Sequence, residues 1–153
     1  MKLNVAVIGT GAMGKSHARV YSGIGTVNLA AVCDSDAERA KNVASEFKTN
    51  FYTDYVEMIN KEKIEAVSVC VPTKYHKDVA ISLIRNKINV LVEKPIATNA
   101  EEAAEMIREA EKNKVKLMVG HIERFNPVVM ELKKRIMKNE LGKIYKVNCT
   151  RLS

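Results

Sequence analysis

The stretch Glu93-Lys94-Pro95 holds the residue whose type and position most directly suggest chemistry. Lys94 follows an apolar run and precedes a proline. Its ammonium is therefore expected to be held near a site at the end of a strand and not to extend freely into solvent. An ammonium held there can steady a substrate hydroxyl and lower its pKa, or relay a proton. We therefore take Lys94 as the candidate catalytic residue, with a surface lysine at a strand end as the alternative. The Lys94–Pro95 bond is a candidate cis peptide.

Three glycines with the spacing G-x-G-x-x-G form the second informative stretch. They follow an apolar run that begins at Leu3, and they precede a predicted helix over residues 15–22. In this setting the first glycine allows a tight turn, the second lets a pyrophosphate approach the backbone, and the third lets the helix pack closely. The helix N-terminus adds free N–H groups for the phosphates. The predicted cofactor-binding residues here are Gly9, Gly11, Ala12, Met13 and Gly14.

An aspartate follows the next apolar run at the spacing that dinucleotide-binding units use. Asp34 lies twenty residues past Gly14, at the end of a predicted strand, Val27–Cys33. Its carboxylate would accept the adenosine ribose hydroxyls and repel a 2′-phosphate, and Arg39, the first basic residue after it, is already inside the next predicted helix. NAD is therefore predicted in preference to NADP. The alternative is that Asp34 or Ser35 simply begins that helix.

Helix and strand patterns alternate along the rest of the chain. Predicted helices cover residues 36–47, 54–59, 74–86 and a long segment that begins at Thr98, where the spacing to Glu101 fits a capping box. Predicted strands cover residues 51–53, 64–71, 89–92 and 115–119. This alternation predicts an α/β fold, namely a Rossmann doubly wound parallel sheet with right-handed crossovers.

Polar residues follow the predicted strands at their carboxyl ends, which meet at one edge of a parallel sheet. Besides those already named, they are Thr73 and His76 after the fourth strand, where Pro72 comes first, Glu93 after the fifth, and His121 after the sixth. Ligands bind beyond this edge in open parallel sheets, so the pattern predicts one site there. His76 alone is more typical of a helix surface, and Glu93 can pair with Lys94 or orient a ligand.

These residues together resemble the N-terminal part of the glucose–fructose oxidoreductase / inositol dehydrogenase / MocA-like family. The stretches that carry the resemblance span almost the whole chain in the family's order: residues 9–14 with His17, Asp34, residues 71–73 with His76, residues 93–95, and the run from Gly120. Members are NAD(P)-dependent oxidoreductases of sugars, cyclitols and related alcohols. The resemblance implies that Lys94 assists at the reacting hydroxyl and that the Lys94–Pro95 bond is often cis. It also implies cofactor contacts for the set Pro72, Thr73, His76, Glu93 and Lys94.

The run from His121 to Pro127 resembles the branch of that family that includes UDP-N-acetylglucosamine 3-dehydrogenases. Arg124 and Asn126 have side chains suited to a carboxamide, a sugar hydroxyl or a phosphate. We therefore predict that His121, Arg124 and Asn126 bind substrate. The alternative, equally open at the level of the sequence, is that Asn126 caps the next helix with Pro127 at its first position.

Two domains of unequal completeness are expected. Residues 1–121 form the dinucleotide-binding domain, and residues 122–153 form a connecting helix (125–137) and the first strand (143–151) of an otherwise absent substrate domain. The resemblance implies that such enzymes run to more than twice this length and carry a proton-accepting histidine in the second domain. We expect a homo-oligomeric dehydrogenase at full length, and a truncated chain here that binds NAD with little or no turnover. We also expect weak self-association of this chain, because the open edge of the strand over residues 143–151 would pair with another copy. A regulatory NAD-sensing module without catalysis is the alternative.

The net charge of +7 is unevenly distributed. Residues 1–111 carry 14 basic and 15 acidic side chains, whereas residues 112–153 carry 11 and 3. No aromatic stacking platform accompanies these lysines, so we interpret them as a solvated face and expect no nucleic-acid partner. No apolar run approaches the roughly 18 residues of a membrane span, so no membrane partner is expected. The three cysteines lack metal-ligand spacing, so no metal is predicted, and reduced thiols without a signal peptide indicate a cytoplasmic protein.

Overall fold

A six-stranded parallel sheet organises the first 120 residues in the computed structural model, which describes residues 2–150. The strands are β1 (Leu3–Ile8), β2 (Val27–Cys33), β3 (Asn50–Tyr52), β4 (Ala66–Val69), β5 (Asn89–Val92) and β6 (Leu117–Val119). The helices are α1 (Ala12–Gly23), α2 (Ala37–Phe47), α3 (Tyr55–Lys61), α4 (His76–Arg85), α5 (Ala100–Asn113) and α6 (Pro127–Met137), with 3-10 turns at Thr73–Tyr75 and Ile122–Phe125.

The sheet has the strand order β3-β2-β1-β4-β5-β6, and every pair is parallel. This order reverses between β1 and β4, which places a crevice at the carboxyl ends of those two strands. The strands are rich in Val, Ile and Ala because both faces of the sheet are covered by helices. The predicted Rossmann doubly wound parallel sheet is therefore confirmed.

Two hydrophobic clusters fill the space between the sheet and its helices. The larger one contains Met58 of α3, Leu83 of α4 and Met106 of α5, all fully buried. The smaller one lies on the other face and contains Ala18 of α1 and Val43 of α2. The two clusters leave the carboxyl edge of the sheet as the place where polar side chains gather.

The register aligns the carboxyl ends of five strands in one row. Ile8 pairs with both Cys33 and Val69, and Val92 pairs with both Val69 and Val119. The backbone ladder continues one residue further, because the N–H of the next residue donates to the neighbouring strand in each case. The residues that form this row are Gly9, Asp34, Cys70, Glu93 and Gly120.

The N-terminus of α5 differs from the predicted capping box. Asn99, not Thr98, is the N-cap, and its side chain accepts the N–H of Glu102 at 2.8 Å. The carboxylate of Glu102, not that of Glu101, reaches back to the N–H and hydroxyl of Thr98. The prediction was wrong by one residue because Asn99 is still extended and can cap as well as threonine.

The second compact unit begins at His121. It contains the 3-10 turn Ile122–Phe125 and helix α6, whose apolar side chains, including Val128 and Met137, are exposed. The predicted strand over residues 143–151 is wrong for the described part, since residues 143–150 belong to no sheet. An alternating pattern becomes a strand only when a neighbouring strand accepts its hydrogen bonds. Arg151 lies outside the described residues.

Two features are absent from residues 2–150 of the structure. No helix there is long and apolar enough to cross a membrane. Within the same range, no cluster of three or more His, Cys, Asp or Glu side chains has an arrangement that could hold a metal ion.

Candidate functional site

The glycine turn between β1 and α1 is fixed by close backbone contacts at two of its glycines. Gly9 has a φ of +87°, and a Cβ built on it would lie 2.7 Å from the carbonyl carbon and oxygen of Cys70. A Cβ on Gly14 would lie 1.7 Å from the carbonyl oxygen of Gly9. Any side chain at these positions would displace the backbone, so packing within the protein requires both glycines.

Gly11 is different, because a Cβ there would meet no protein atom within 4 Å. It is also the N-cap residue of α1, which has neither a side-chain cap nor an acidic residue in its first turn. In contrast, α2, α3, α5 and α6 each begin with an Asp or Asn side chain that accepts a backbone N–H. The start of α1 therefore offers free N–H donors to an anion, and the missing side chain at Gly11 allows that anion to approach.

Asp34 lies beside this turn and is buried. Its Oδ2 accepts hydrogen bonds from the backbone N–H and the hydroxyl of Thr10, at 2.7 and 3.0 Å. Its Oδ1 accepts the N–H of Asp36 at 3.0 Å. The alternative that Asp34 or Ser35 only begins α2 is wrong, because Asp36 caps this helix through the N–H of Arg39.

Arg39 of α2 adds a cation beside Asp34 and Asp36. Its predicted position inside a helix gave it no role in the site. Its guanidinium lies 2.9 Å from Oδ2 of Asp36 and 3.6 Å from Oδ2 of Asp34. Hydrogen bonds from the backbone and side chain of Arg39 lower the pKa of Asp36, and the same pairing raises the pKa of Arg39. The spacing of three residues from the N-cap is the sequence signal that could have revealed this pair.

A buried carboxylate, Glu93, occupies the row position after β5. Its Oε1 lies 3.0 Å from Nε2 of His17 on α1, and its Oε2 accepts the backbone N–H of Lys94 at 3.1 Å. Nδ1 of His17 lies 3.0 Å from the hydroxyl of Ser68, which is itself 2.7 Å from the hydroxyl of Tyr21. Neither Ser68 nor Tyr21 was predicted as a site residue, although a serine inside an apolar strand is a signal for the first.

Burial keeps the groups around this network in their neutral forms. Desolvation raises the pKa of Tyr21, which its hydrogen bond to Ser68 partly offsets. Desolvation, with a smaller effect from the charge of Glu93, raises the pKa of Cys70 to about 12. Tyr21 therefore remains a phenol that can donate its proton, and Cys70 remains a thiol at neutral pH.

His76 joins the loops that follow β4 and β5. Its buried ring has Nε2 at 2.8 Å from the carbonyl oxygen of Val71 and Nδ1 at 2.9 Å from that of Pro95. Both contacts are hydrogen bonds only when both ring nitrogens carry protons, since carbonyl oxygens cannot donate. Thr73 begins the 3-10 turn beside this ring, and Pro72 precedes it as the N-cap.

Lys94 lies at the edge of this arrangement, and its peptide bond to Pro95 is cis. Its side chain is exposed, and its ammonium makes no hydrogen bond or ion pair with any of residues 2–150. The first unit thus brings together the glycine turn, Asp34, the His76 loops and an unpaired ammonium along one edge of the sheet.

The three predicted substrate-binding residues belong to the second unit. His121 and Arg124 are exposed. Asn126 accepts the N–H of Val128 at 3.0 Å and donates to the carboxylate of Glu123 at 3.0 Å. The capping alternative is therefore present in the structure, with Pro127 in the first turn of α6.

A parallel sheet of this strand order, with a glycine turn at its switch point and an acid after β2, defines a dinucleotide-binding Rossmann domain. The residues present fit NAD, because α1 offers uncapped donors beside Gly11 and the carboxylate of Asp34 follows β2, where dinucleotide-binding domains have the acid for the ribose hydroxyls. The sequence model of the GFO_IDH_MocA family, described as "Oxidoreductase family, NAD-binding Rossmann fold", matches residues 3–121. The chain belongs to this NAD-binding oxidoreductase family.

Characterised relatives and solved structures agree with this assignment. The chain is 34% identical over 131 residues to UDP-N-acetylglucosamine 3-dehydrogenase of Acidithiobacillus ferrooxidans, covering 86% of this chain and 41% of that protein. The crystal structure of myo-inositol 2-dehydrogenase from Lactobacillus plantarum superposes with a TM-score of 0.88 at 29% identity, covering 94% of this chain and 43% of that one. That of GenD2 from gentamicin A biosynthesis, in complex with NAD, has a TM-score of 0.76 at 32% identity, covering 78% and 34%. The chain thus spans less than half the length of each relative.

Proposed function

We propose that this chain is the NAD-binding part of a dehydrogenase that transfers a hydride between a hydroxyl-bearing carbon of a sugar, cyclitol or nucleotide sugar and the nicotinamide. The observation that carries the proposal is the start of α1, where Gly11 leaves open space and no side chain caps the helix. NAD, when bound, supplies the hydride acceptor. The residues of this chain hold the cofactor and the reacting hydroxyl.

The cofactor contacts that we propose follow the row of strand ends. The N–H groups of Ala12, Met13 and Gly14 bind the pyrophosphate, because they point from a helix N-terminus that lacks another acceptor. Asp34 binds the adenosine ribose hydroxyls. Further along the sheet edge, Pro72 and Thr73 line the cofactor. His76 positions the loop that contains them, because its ring contacts the carbonyl oxygen of Val71 in that loop.

Lys94 is the catalytic residue that we propose. Oxidation of an alcohol removes a hydride from carbon and a proton from oxygen, so a cation beside that oxygen favours the reaction by lowering the pKa of the hydroxyl. The unpaired and exposed ammonium of Lys94, on a segment held by Glu93 and His76, is suited to this role. The proton acceptor is expected in a further domain like the one that completes the longer relatives.

The substrate class is inferred from relatives, which include dehydrogenases of inositol and of a UDP-linked amino sugar. We propose that Arg124 and His121, both exposed, contribute to substrate binding and that Asn126 supports them as the cap of α6. We further propose a cytoplasmic, homo-oligomeric full-length enzyme. This chain alone would turn over little. The predicted self-association through an open strand edge loses its basis, because residues 143–150 form no strand, and we propose instead that exposed apolar side chains such as Val128 and Met137 allow weak self-association.

Calorimetric titration of the chain with NAD and NADP tests the cofactor assignment. NAD is expected to bind more tightly than NADP, and Asp34→Ala is expected to weaken NAD by at least about tenfold because two ribose hydrogen bonds to a charged acceptor are lost. Asp78→Asn, which removes an exposed carboxylate from α4, is the matched control and leaves the affinity unchanged. Tighter binding of NADP, or equal NAD affinity in Asp34→Ala, would overturn the assignment.

A further inference from the structure

The carboxylate of Glu93 is enclosed by three elements of the first unit. The residue is 6% exposed, and each of its oxygens has a different partner: His17 from α1 for Oε1 and the backbone N–H of Lys94 for Oε2. On the third side, a Cβ at Gly120, after β6, would lie 2.9 Å from Oε1. The glycine therefore leaves room for the carboxylate, whose hydrogen bonds point inward to the protein.

The donors in this network run in one direction. A carboxylate only accepts, so Nε2 of His17 carries a proton and donates to Glu93. With that nitrogen protonated, Nδ1 of a neutral ring accepts the hydroxyl proton of Ser68, and the oxygen of Ser68 accepts the proton of Tyr21. The raised pKa of Tyr21 keeps that phenol able to donate. In this arrangement each of these side-chain polar atoms has a hydrogen-bond partner, and no buried side-chain N or O among the described residues lacks one.

The network spans the two parts of the site that act on different ends of the cofactor. α1 begins at the uncapped turn beside Gly11, and His17 lies on the second turn of the same helix. Lys94 is bonded to the same carboxylate through its own N–H. Movement of α1 relative to the end of β5 would therefore strain one of the two hydrogen bonds of Glu93.

We propose that Glu93 and His17 are positioning residues for Lys94: the carboxylate, oriented by the His17 ring, fixes the backbone of Lys94 to the helix that binds the pyrophosphate. This inference rests on the proposed function for the role of Lys94, but the coupling itself is a property of the protein alone. Both side chains act through the placement of the lysine backbone.

Nuclear magnetic resonance on the 153-residue chain tests the proposal with three readouts: hydrogen exchange of the Lys94 amide, ¹⁵N shifts of the His17 ring, and NAD affinity. His17→Ala is expected to lower the protection of the Lys94 amide by about tenfold, because Glu93 loses the partly buried hydrogen bond that orients its carboxylate. His17→Gln is expected to restore most of the protection of the Lys94 amide, because the amide nitrogen of glutamine can donate to Oε1 of Glu93. Glu93→Gln is expected to alter the His17 ring shifts and to lower protection at Lys94.

Glu46→Gln is the matched control, since Glu46 pairs with Lys15 on the outer side of α1 at 2.8 Å and is exposed. It is expected to leave all three readouts unchanged. If His17→Ala does not fold, Tyr21→Phe keeps the ring packing and removes only the first donor, and it is expected to shift the ring nitrogens of His17.

Unchanged protection of Lys94 in His17→Ala, equal losses in His17→Ala and His17→Gln, or unchanged His17 ring shifts in Glu93→Gln or Tyr21→Phe would each overturn the proposal. The NAD titration separates this outcome from failure of the proposed function. A chain that loses protection at Lys94 in the variants but does not bind NAD supports the positioning role and contradicts the cofactor assignment.

Discussion

The backbone N–H of Thr10 donates a 2.7 Å hydrogen bond to Oδ2 of Asp34, and the hydroxyl of Thr10 donates a second one at 3.0 Å to the same oxygen. Both residues are buried. The glycine turn thereby orients the carboxylate before any ligand binds, and preorganisation of this kind reduces the cost of binding. The middle residue of G-T-G is therefore part of the site, although the glycine spacing alone assigns it no role.

Thr10→Val is the first prediction, because valine keeps the shape of the side chain and removes the hydroxyl donor. We expect the dissociation constant for NAD to rise about five- to tenfold, because a typical hydrogen bond contributes roughly 1 kcal/mol or slightly more. Thr10→Ser retains the hydroxyl and is expected to bind NAD as the unmodified chain does. Calorimetry measures both variants, and equal affinities for valine and serine would show that the orientation of Asp34 does not depend on this bond.

Gly11→Ala and Gly14→Ala are expected to separate ligand binding from folding. At Gly11 the added methyl meets no protein atom within 4 Å, so the melting temperature stays unchanged while NAD affinity falls at least about tenfold. At Gly14 the methyl would lie 1.7 Å from the carbonyl oxygen of Gly9, so stability falls by about 3 kcal/mol or more.

The control for both glycine variants is Gly23→Ala at the end of α1, where nothing lies within 4 Å of the new Cβ. It is expected to change neither melting nor binding. Full NAD affinity in Gly11→Ala would contradict the assignment of the pyrophosphate to this turn.

Local patterns were sufficient for the parallel sheet and for several elements within it. The bounds of β2 and β5 agree with the predicted strands, because an apolar run ended by Asp34 or by the Glu-Lys-Pro stretch leaves little choice. The strand β4 is shorter than predicted: Ile64 and Val71 are apolar, but β1 supplies partners only for residues 66–69. Strand ends depend on the neighbouring strand as well as on the sequence of the strand itself.

Contacts between residues far apart in the chain could not be predicted from the sequence. His17 and Glu93 are separated by 76 positions, and no local period joins them. His76 shows the same limit, since the sequence placed it near the site but not between two backbone carbonyl oxygens. The strand prediction from residue 143 onward was wrong for the opposite reason. The local alternating pattern there is clear, but a partner strand is absent from the described residues.

The three cysteines are expected to differ in reactivity towards a thiol reagent such as DTNB at pH 8. Cys33 and Cys70 have pKa values raised to about 12, mainly by burial and then by nearby carboxylates, whereas Cys149 is exposed. One thiol per native chain should react, and all three should react in urea. Cys149→Ser should remove the native reaction, and rapid labelling of Cys33 or Cys70 in that variant would contradict the prediction.

The same shifts predict how stability depends on alkaline pH. Since the folded pKa of both thiols lies above the unfolded value of roughly 8.5, the folded state keeps protons that the unfolded state releases. Their contribution to stability is complete below about pH 8.5 and is lost progressively as the pH rises towards about 12. Urea unfolding at pH 8 and pH 10 should show a smaller decrease in Cys33→Ser than in the unmodified chain.

Lys94→Ala distinguishes a dehydrogenase from an NAD-sensing module. The exposed ammonium makes no hydrogen bond or ion pair with the described residues, so its removal should leave the melting temperature of the chain unchanged. NAD affinity should change by less than about threefold, because a single exposed charge contributes little to binding a ligand held mainly at α1 and Asp34.

In a protein completed to the length of the relatives, turnover of a sugar or cyclitol by Lys94→Ala should fall by at least about a hundredfold, as expected when a group that acts on the reacting hydroxyl is lost. Lys77→Ala, on the nearby helix α4, is the control for the lost charge. Undiminished turnover in Lys94→Ala, with NAD binding intact, would remove the lysine from catalysis and leave the cofactor assignment standing.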